Sequence, residues 1–478
     1  MNPRFALAGL CGLLFGGLLS IASPGQFAMA MATAFVLPVI LRQPYLGLAL
    51  FAFTATFMPY STVELGVRIT LSEALLAMAC LGTLWQLCMH RLHWSWGPTE
   101  KAVLLLMVFS ALPFAVGQLT IHTDDNGLVN WARWLLNLST IFLVPLLLAD
   151  AERRERLIVV LLAGSLALLL LSLTEFLRHQ STQDMISLLT RMHYAHTDAV
   201  RSIFTVEHAR LATPWVHPNL TGGALVLFVP LGLSFALVRE GWKRWLGSAV
   251  ALLGGVALLL SSSRGAMLSL AAVLIWMACL RVPATRQILL AAAVIGVVLV
   301  LFYPPLHARI ATMFSAGNAS TQVRMDEYRR FPEAVARYPL GIGFKADPPV
   351  PGSGLLGISN LWLNYVYKLG LLGMLMYCAV IWRWWRECRP RGAIDKLGPA
   401  NGIWLGSLAG IVAALLTGLF DHYYSFTVVL VALFWLMLGI NLQAARELYG
   451  VRRAQRNPSL LPFTARLPAN ETSHLPLH

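Results

Sequence analysis

Residues 246–281, LGSAVALLGGVALLLSSSRGAMLSLAAVLIWMACLR, contain two apolar runs that are joined by the short polar stretch SSSRGA. Each run is long enough to cross most of the roughly 30 Å hydrocarbon core of a bilayer as an α-helix. The two runs therefore predict neighbouring membrane spans at residues 246–262 and 265–281, with almost no loop between them. Arg264 lies in this junction, where a guanidinium is costly unless it meets an anion or water. This makes Arg264 a candidate anion-binding residue; the alternative is an arginine whose side chain only extends to the lipid headgroups.

Apolar runs of this kind recur along the chain. Hydrophobic residues make up 57% of the 478 residues and charged residues only 12%, whereas soluble domains carry about 25% charged residues. The predicted spans cover residues 5–22, 27–41, 45–59, 70–88, 101–118, 130–149, 156–177, 214–238, 246–262, 265–281, 287–303, 359–382, 402–420 and 424–443. The predicted fold class is all-α, a polytopic transmembrane bundle of about 12–14 helices. The second and third spans are short enough to form one broken or re-entrant element.

The charged connections between the spans indicate the orientation of the bundle. Basic connections alternate with poorly charged ones, and the formal net charge is +14. Lys and Arg collect on the cytoplasmic side of membrane proteins, so the alternation places both termini in the cytoplasm and explains the charge without a nucleic-acid partner. We expect residues 1–22 to form a retained first helix, because further spans follow at once. The alternative is a signal peptide that is cleaved off.

This orientation divides the chain into six segments and places two long polar loops outside. The segments are N-terminal transmembrane helices at 1–177, the first external loop at 178–213, transmembrane helices with the SSSRGA junction at 214–303, the second external loop at 304–358, C-terminal transmembrane helices at 359–443 and a cytoplasmic tail at 444–478. Long loops on a compact bundle often carry function. The six cysteines show no CxxC or zinc spacing, so neither a metal site nor a cofactor is predicted.

A second polar motif, RLATPWVHPN, occupies residues 210–219, where the first external loop re-enters the membrane. Its two prolines and the glycine pair that follows predict a shaped turn at the interface. The turn holds Arg210, His217 and Asn219, which are candidates for substrate binding. The alternative is an ordinary capping Asn and an interfacial His.

The second external loop contains RMDEYRR and then RYPLGIGF. Residues 324–337 predict a short helix that ends before Pro339. Arg324 and the glycine turn after the helix are candidates for function. We expect the other charged residues of this helix to pair with one another at helical spacing on a solvated face. They are Asp326, Glu327, Arg329 and Arg330.

Taken together, the motifs resemble the O-antigen ligase and O-antigen polymerase superfamily. SSSRGA, RLATPWVHPNLTGG, the arginines before YPLGIGF, and SNLWLNYVYKLGLLG are arranged over residues 210–373 in the way that the family arranges its motifs. The resemblance implies an inverting, metal-independent glycosyltransferase of GT-C type at the periplasmic face of the bacterial inner membrane. It also implies an undecaprenyl-diphosphate-linked glycan as donor, a carrier-linked glycan or lipid A–core as acceptor, contact with membrane lipid, and other polysaccharide assembly proteins as partners.

The resemblance also implies roles for individual residues. Arg210 and Arg264 match arginines that the family uses at the lipid diphosphate, and Arg324 matches a further frequent arginine. Asn360 fits the family pattern His-Asn-x-x-Leu, but Ser359 stands where that His is usual. The candidate catalytic residues are Arg210, Arg264 and His217, and the candidate substrate-binding residues are Arg324, Asn219, Ser263, Ser359 and Asn360.

The serine in place of the family histidine leaves the catalytic base open. That histidine is assigned as a catalytic or acceptor-orienting group in ligases, so its loss favours a polymerase or a divergent exopolysaccharide enzyme over a classical ligase. His217, His307 and His422 are alternative imidazoles near the outer face, and Asp347 is an available carboxylate. Among them His217 is favoured, since it lies in the same turn as Arg210.

Two further classes of function remain as alternatives. A transporter for an anion or a lipid-linked sugar would also use outer arginines, but transporters concentrate charges near the membrane midplane. A non-catalytic scaffold in polysaccharide assembly would fit the missing histidine. The main ionisable residues in or at the ends of the spans are Glu73, Arg133, Glu175, Arg264 and Asp421, and most lie near predicted outer ends, which favours an enzyme.

Overall fold

The computed structural model describes residues 34–65, 67–123, 125–179, 190, 210–212, 215, 217–302, 307, 319–350, 357–426 and 428–456. The predicted first span, most of the first external loop and the end of the predicted tail lie outside these ranges. The described residues are almost entirely helical, with one two-stranded hairpin. The predicted all-α transmembrane bundle is therefore confirmed.

The helices and strands follow one another in the order of the predicted spans. They are α1 Ala34–Arg42, α2 Pro44–Phe57, β1 Thr62–Leu65, β2 Val67–Thr70, α3 Leu71–Cys88, α4 Pro98–Phe109, α5 Ala111–Thr120, α6 Gly127–Leu138, α7 Thr140–Leu147, α8 Ala151–His179, α9 Pro218–Val238, α10 Gly241–Ser261, α11 Arg264–Cys279, α12 Thr285–Phe302, α13 Ala319–Arg337, α14 Leu361–Cys388, α15 Pro399–Thr417, α16 Tyr423–Phe426 and α17 Val428–Arg456.

Eight helical segments among the described residues are long and apolar enough to cross a membrane. Two more, α11 and the helical part of α15 from Asn401 to Thr417, are apolar but shorter. The helices α1 and α2 meet at 119°, as expected for the broken or re-entrant element that the sequence suggested. The loop helix α13 begins five residues before the predicted one and ends at the predicted residue, Arg337.

The centre of the bundle is built on α9, which packs against α10 and α15. A β-carbon on Gly247 of α10 would lie 2.6 Å from the Gly232 carbonyl oxygen of α9, and one on Gly410 of α15 would lie 2.6 Å from the Leu227 carbonyl oxygen. Small residues let membrane helices approach this closely, so that van der Waals contact replaces the missing hydrophobic driving force. This packing fixes the ends of α9 and α10, where the motifs lie.

The basic connections gather at one end of the bundle. The Glu155 carboxylate pairs with Arg239 and with Lys243, each at 2.7 Å. Arg446 bridges Glu100 at 2.6 Å and Glu387 at 2.9 Å. Because α9, α11 and α14 begin at the opposite end, the polar motifs lie together away from the basic connections.

The glycine turn of the second loop packs against a break in α14. The break lies at Gly370, where φ is +72°. The amide of Ile342 donates to the Tyr367 carbonyl and the amide of Gly343 to the Lys368 carbonyl, both at 2.9 Å. Carbonyls freed inside a membrane helix must find donors elsewhere. The turn supplies them, and so the second loop is anchored to the bundle.

Candidate functional site

Arg210 ties the beginning of α9 to the end of α10. Its Nε donates to the Ser261 carbonyl at 2.9 Å, and its Nη2 donates to the Ser262 carbonyl at 3.3 Å. The same Nη2 donates to Asn219 Oδ1 at 3.0 Å. The planar guanidinium therefore holds two motifs that lie about fifty residues apart, in the geometry that its rigid fork of donors allows.

The SSSRGA junction is a tight turn that the neighbouring helices shape. Ser262 takes a left-handed conformation with φ +51°, and the buried Ser263 precedes α11. A β-carbon on Gly222 of α9 would lie 2.6 Å from Ser263 Cβ, and one on Gly265 would lie 2.9 Å from Phe420 Cβ. The glycines of both motifs are required because the turn, α9 and the segment after α15 are in direct contact.

Arg264 is the first residue of α11 and is partly buried. The N-terminus of a helix carries the positive end of its dipole, which disfavours a cation and favours an anion. An arginine at this position, preceded by a cap residue that accepts no hydrogen bond on its side chain, concentrates positive potential at the junction. The arrangement is suited to a multiply charged anion.

A chain of polar side chains connects the first motif to the second loop. Arg324 Nη2 lies 3.5 Å from both carboxylate oxygens of Asp421, which is 7% exposed. The Tyr423 side chain lies near Asp421 and Asn219, close enough for both to influence its hydroxyl. Since Asn219 also accepts from Arg210, five neighbouring side chains from three segments extend from Arg210 to Arg324, with Tyr423 between the two bonded pairs.

Burial and charge set the protonation of the two ionisable groups that face these arginines. Burial raises the pKa of Asp421 to about 6, against the opposing effect of Arg324. Burial, and then the charges of Arg210 and Arg324, lower the pKa of His217 to about 4. The imidazole of His217 is therefore neutral at pH 7, and it lies close to both guanidinium groups.

The hydrogen bonding of His217 assigns its proton. Its Nδ1 accepts from the Asn219 amide at 3.2 Å. A neutral imidazole carries one proton, so Nε2 is the donor nitrogen. In this arrangement His217 offers a hydrogen bond rather than a basic nitrogen, which argues against the favoured assignment of His217 as the base.

The other candidate bases, His422, Asp347 and His307, lie in three different parts of the structure. The His422 ring lies next to Asp421, its Nδ1 is buried, and no residue in the described part of the chain is a hydrogen-bond partner of that atom. Asp347 accepts from the Tyr338 hydroxyl at 2.8 Å and pairs with Arg337 at 3.5 Å, beside the glycine turn. His307 is exposed, and the described contacts do not connect it to the arginine network.

Asn360 caps α14. Its Oδ1 accepts from the amides of Trp362 at 3.0 Å and Leu363 at 3.1 Å, and its Nδ2 donates to the Leu419 carbonyl at 3.1 Å. Asn360, the Asn of the pattern Asn-x-x-Leu, therefore caps its own helix. Its bond to the Leu419 carbonyl also connects the start of α14 to the segment that carries Asp421.

Glu327 does not lie on a solvated face, and that prediction was wrong. Its side chain is fully buried. Its Oε2 accepts from the Ser359 amide at 2.9 Å and its Oε1 from the Ser359 hydroxyl at 3.1 Å. Helical spacing alone suggested pairing within α13, whereas tertiary contact with the start of α14 determines where this carboxylate lies. Asp326, Arg329 and Arg330 are exposed, as expected.

The structure brings the polar motifs of the sequence to one place. Arg210, His217, Asn219 and Ser263 meet at the junction, and Arg324 joins them through Asp421. Sequence reasoning missed the central position of Asp421 and Tyr423; the signal was a rare carboxylate at the end of an apolar span. In the ranges that the structure covers, no group of three or more His, Cys, Asp or Glu side chains is placed to hold a metal ion.

Part of the chain matches a known protein family. Residues 249–378 match the family described as O-antigen ligase, and no curated protein matches the chain. The matched region contains the SSSRGA junction, Arg324 and the start of α14. The motif at residues 210–219 and the segment that carries Asp421 lie outside it, although both contact residues within it.

Proposed function

We propose that this multi-pass membrane protein, of which residues 249–378 match the O-antigen ligase family, transfers a glycan from undecaprenyl diphosphate at the periplasmic face of the inner membrane. The observation that supports the proposal is the cluster of polar side chains from Arg210 and Asn219 to Asp421 and Arg324, beside the N-terminus of α11. It concentrates guanidinium groups at one end of a membrane bundle, where a lipid diphosphate would lie.

The arginines stabilise the leaving group. As the sugar departs, negative charge grows on the diphosphate, and fixed guanidinium donors in a partly dry site stabilise it without reorganisation. Arg264 and Arg324 contact the diphosphate in this proposal. Arg210, whose Nε and Nη2 are engaged with the turn, holds the turn that carries Arg264.

His217, the N-terminus of α11 and Asp421 complete the proposed anion site. The Nε2–H of neutral His217 donates to the diphosphate, and the N-terminus of α11 adds the positive end of its helix dipole. Asp421 keeps the Arg324 guanidinium in place through the 3.5 Å pair. Arginines then perform the charge stabilisation that divalent metals provide in other phosphate-transfer sites, so the proposed reaction needs no metal.

The acceptor decides between the two enzyme classes of the superfamily. A polymerase passes the glycan to another carrier-linked repeat unit, and a ligase passes it to lipid A–core. We favour the polymerase because Ser359 stands in the pattern position where ligases have a histidine. The ligase is the second candidate.

In vitro transfer tests the proposal and separates its alternatives. The full-length protein in nanodiscs is given a synthetic undecaprenyl-diphosphate glycan with either a second carrier-linked glycan or lipid A–core. We expect elongated carrier-linked product with inverted anomeric configuration, and equal turnover in excess EDTA. Movement of the glycan across vesicle membranes without any transfer would establish a transporter, and activity that is lost in EDTA and restored by a divalent ion would remove the metal-independent mechanism.

Cysteine accessibility tests the proposed orientation. In a background without the six native cysteines, a cysteine at Ala336 on α13 should react with an impermeant thiol reagent in intact spheroplasts. One at Ala393, at the basic end, should react only after lysis. Both native residues are exposed, so access differs only by the side of the membrane. Labelling of Ala393→Cys in intact spheroplasts would place the arginine network in the cytoplasm.

A further inference from the structure

Glu327, which contacts Ser359, is a buried charged residue on a helix whose neighbouring charged residues are exposed. On either side of Glu327 in α13, Asp326 and Arg329 are exposed, whereas Glu327 is fully buried. Burying a carboxylate is costly unless strong hydrogen bonds compensate it. Here a single residue, Ser359, satisfies one bond on each oxygen, at 2.9 Å and 3.1 Å.

The Ser359 hydroxyl is the donor in its bond to Glu327, so its oxygen can still accept a hydrogen bond from another group. A serine hydroxyl has one donor and two acceptor lone pairs. Because the Ser359 hydroxyl donates to Glu327 Oε1, its lone pairs remain available to a further donor. Ser359 is partly exposed while Glu327 is not, so among the described residues this hydroxyl is the group that connects the buried carboxylate to a substrate.

The pair lies within the proposed site. Arg324 is one helical turn before Glu327 and is close enough to influence its titration. The Tyr328 hydroxyl donates to the Ser359 carbonyl at 3.2 Å, which holds the serine in place. An acceptor hydroxyl at Ser359 would therefore lie near the diphosphate that Arg324 is proposed to bind.

We propose that Ser359 and Glu327 form a proton relay that activates the acceptor hydroxyl, an inference that rests on the proposed glycan transfer. The acceptor hydroxyl donates to Ser359 Oγ. As the acceptor oxygen forms its bond to the anomeric carbon, its proton passes to Ser359 Oγ and the Ser359 proton passes to the Glu327 carboxylate. The bond from the anomeric carbon to the diphosphate oxygen breaks, and its electron pair leaves on the diphosphate.

Other observations agree with a carboxylate as the final proton acceptor. His217 presents a donor at Nε2, so it does not supply the base. Burial raises the pKa of Glu327, against the lowering effect of the Ser359 bonds and of Arg324. A carboxylate with a raised pKa is a stronger base than an exposed one, as general base catalysis near neutral pH requires.

Ser359→Ala and Glu327→Gln test the relay. General base catalysis contributes about 10²–10⁴-fold, so each variant should lower kcat for transfer by at least about a hundredfold with little change in the KM for donor. The double variant should be no slower than the slower single variant, because both residues act in one step. Ser359→Thr keeps the hydroxyl and should retain much of the activity.

Glu333→Gln is the matched control, because Glu333 is an exposed carboxylate on the same helix that pairs only with Arg337 among the described residues. We expect wild-type kcat from it. Each variant is also checked for folding by its thermal unfolding midpoint in nanodiscs. Ser359→Ala leaves the carboxylate and the helix untouched, so it reports on the relay even if Glu327→Gln lowers the yield of folded protein.

The pH profile separates a relay from a structural contact. The relay needs an ionised Glu327, so kcat should fall as pH falls through its raised pKa, and the residual kcat of Glu327→Gln should lack that limb. The charged and titratable groups that influence or face this carboxylate are Arg324 and Tyr328 on α13 and Asp421 after α15, and Asp421→Asn identifies any limb that belongs to Asp421.

The outcomes distinguish the relay from the proposed function. Wild-type kcat in folded Glu327→Gln, with only a lower unfolding midpoint, would reduce the pair to a structural link between α13 and α14. If Arg264→Ala were inactive in that case, the proposed transfer would stand and only the relay would fall. If Arg264→Ala were also fully active, the proposed site itself would be wrong.

Discussion

Arg264→Ala is expected to lower glycan transfer by at least about a hundredfold while the protein still inserts and purifies normally. A charge-assisted hydrogen bond to the leaving group contributes about 1.5–3 kcal/mol, and each 1.36 kcal/mol is a factor of ten in rate. A guanidinium can make two such bonds to a diphosphate. The measurement is kcat with the synthetic donor, together with the unfolding midpoint of the variant.

Two further variants identify the source of the Arg264 effect. Arg264→Lys keeps the charge but loses the planar fork, so it should recover only part of the activity. Arg286→Ala removes an exposed arginine near the start of α12, at the opposite end of the bundle, and should leave kcat unchanged. Full turnover in a folded Arg264→Ala protein would eliminate Arg264 as a diphosphate ligand.

The membrane bundle could be predicted because run length and charge are local properties of the sequence. The predicted span at 214–238 corresponds to α9, and the one at 265–281 corresponds to α11, each within a few residues. The β-hairpin of β1 and β2 was missed because two strands of four residues between long apolar runs carry little pattern. The break at Gly370 was missed for a related reason, since a glycine in an apolar run equally indicates close helix packing.

The candidate site was predicted as separate motifs, but not as a network. Asp421 lies about a hundred residues from Arg324 and Tyr423 about two hundred from Asn219, so their contacts depend on how α9, α13 and α15 pack. Periodicity placed Glu327 with solvated charges because it describes one helix and not the neighbour that covers it. The tautomer of His217 likewise depends on one backbone amide, that of Asn219.

Arg210→Ala is expected to lower transfer about as strongly as Arg264→Ala, and unlike that variant it should also lower the unfolding midpoint. Arg210 connects the carbonyls of Ser261 and Ser262 to Asn219, so its removal releases the turn that carries Arg264. Arg210→Lys should be nearly as slow, since a single ammonium cannot reproduce three directed bonds. Asn219→Ala removes one of the three Arg210 bonds and should cost at least about tenfold, since one hydrogen bond to a charged group contributes about 1.5–3 kcal/mol.

The double variant Arg210→Ala/Arg264→Ala decides how Arg210 acts. If Arg210 works by positioning Arg264, its loss has nothing further to disturb once Arg264 is gone, and the double variant should be no slower than Arg264→Ala alone. If both arginines bind the diphosphate directly, as the family resemblance implied, the losses should approach their product. A multiplicative loss in folded protein would therefore return Arg210 to the leaving group, and a loss limited to that of Arg264→Ala would assign Arg210 to the turn.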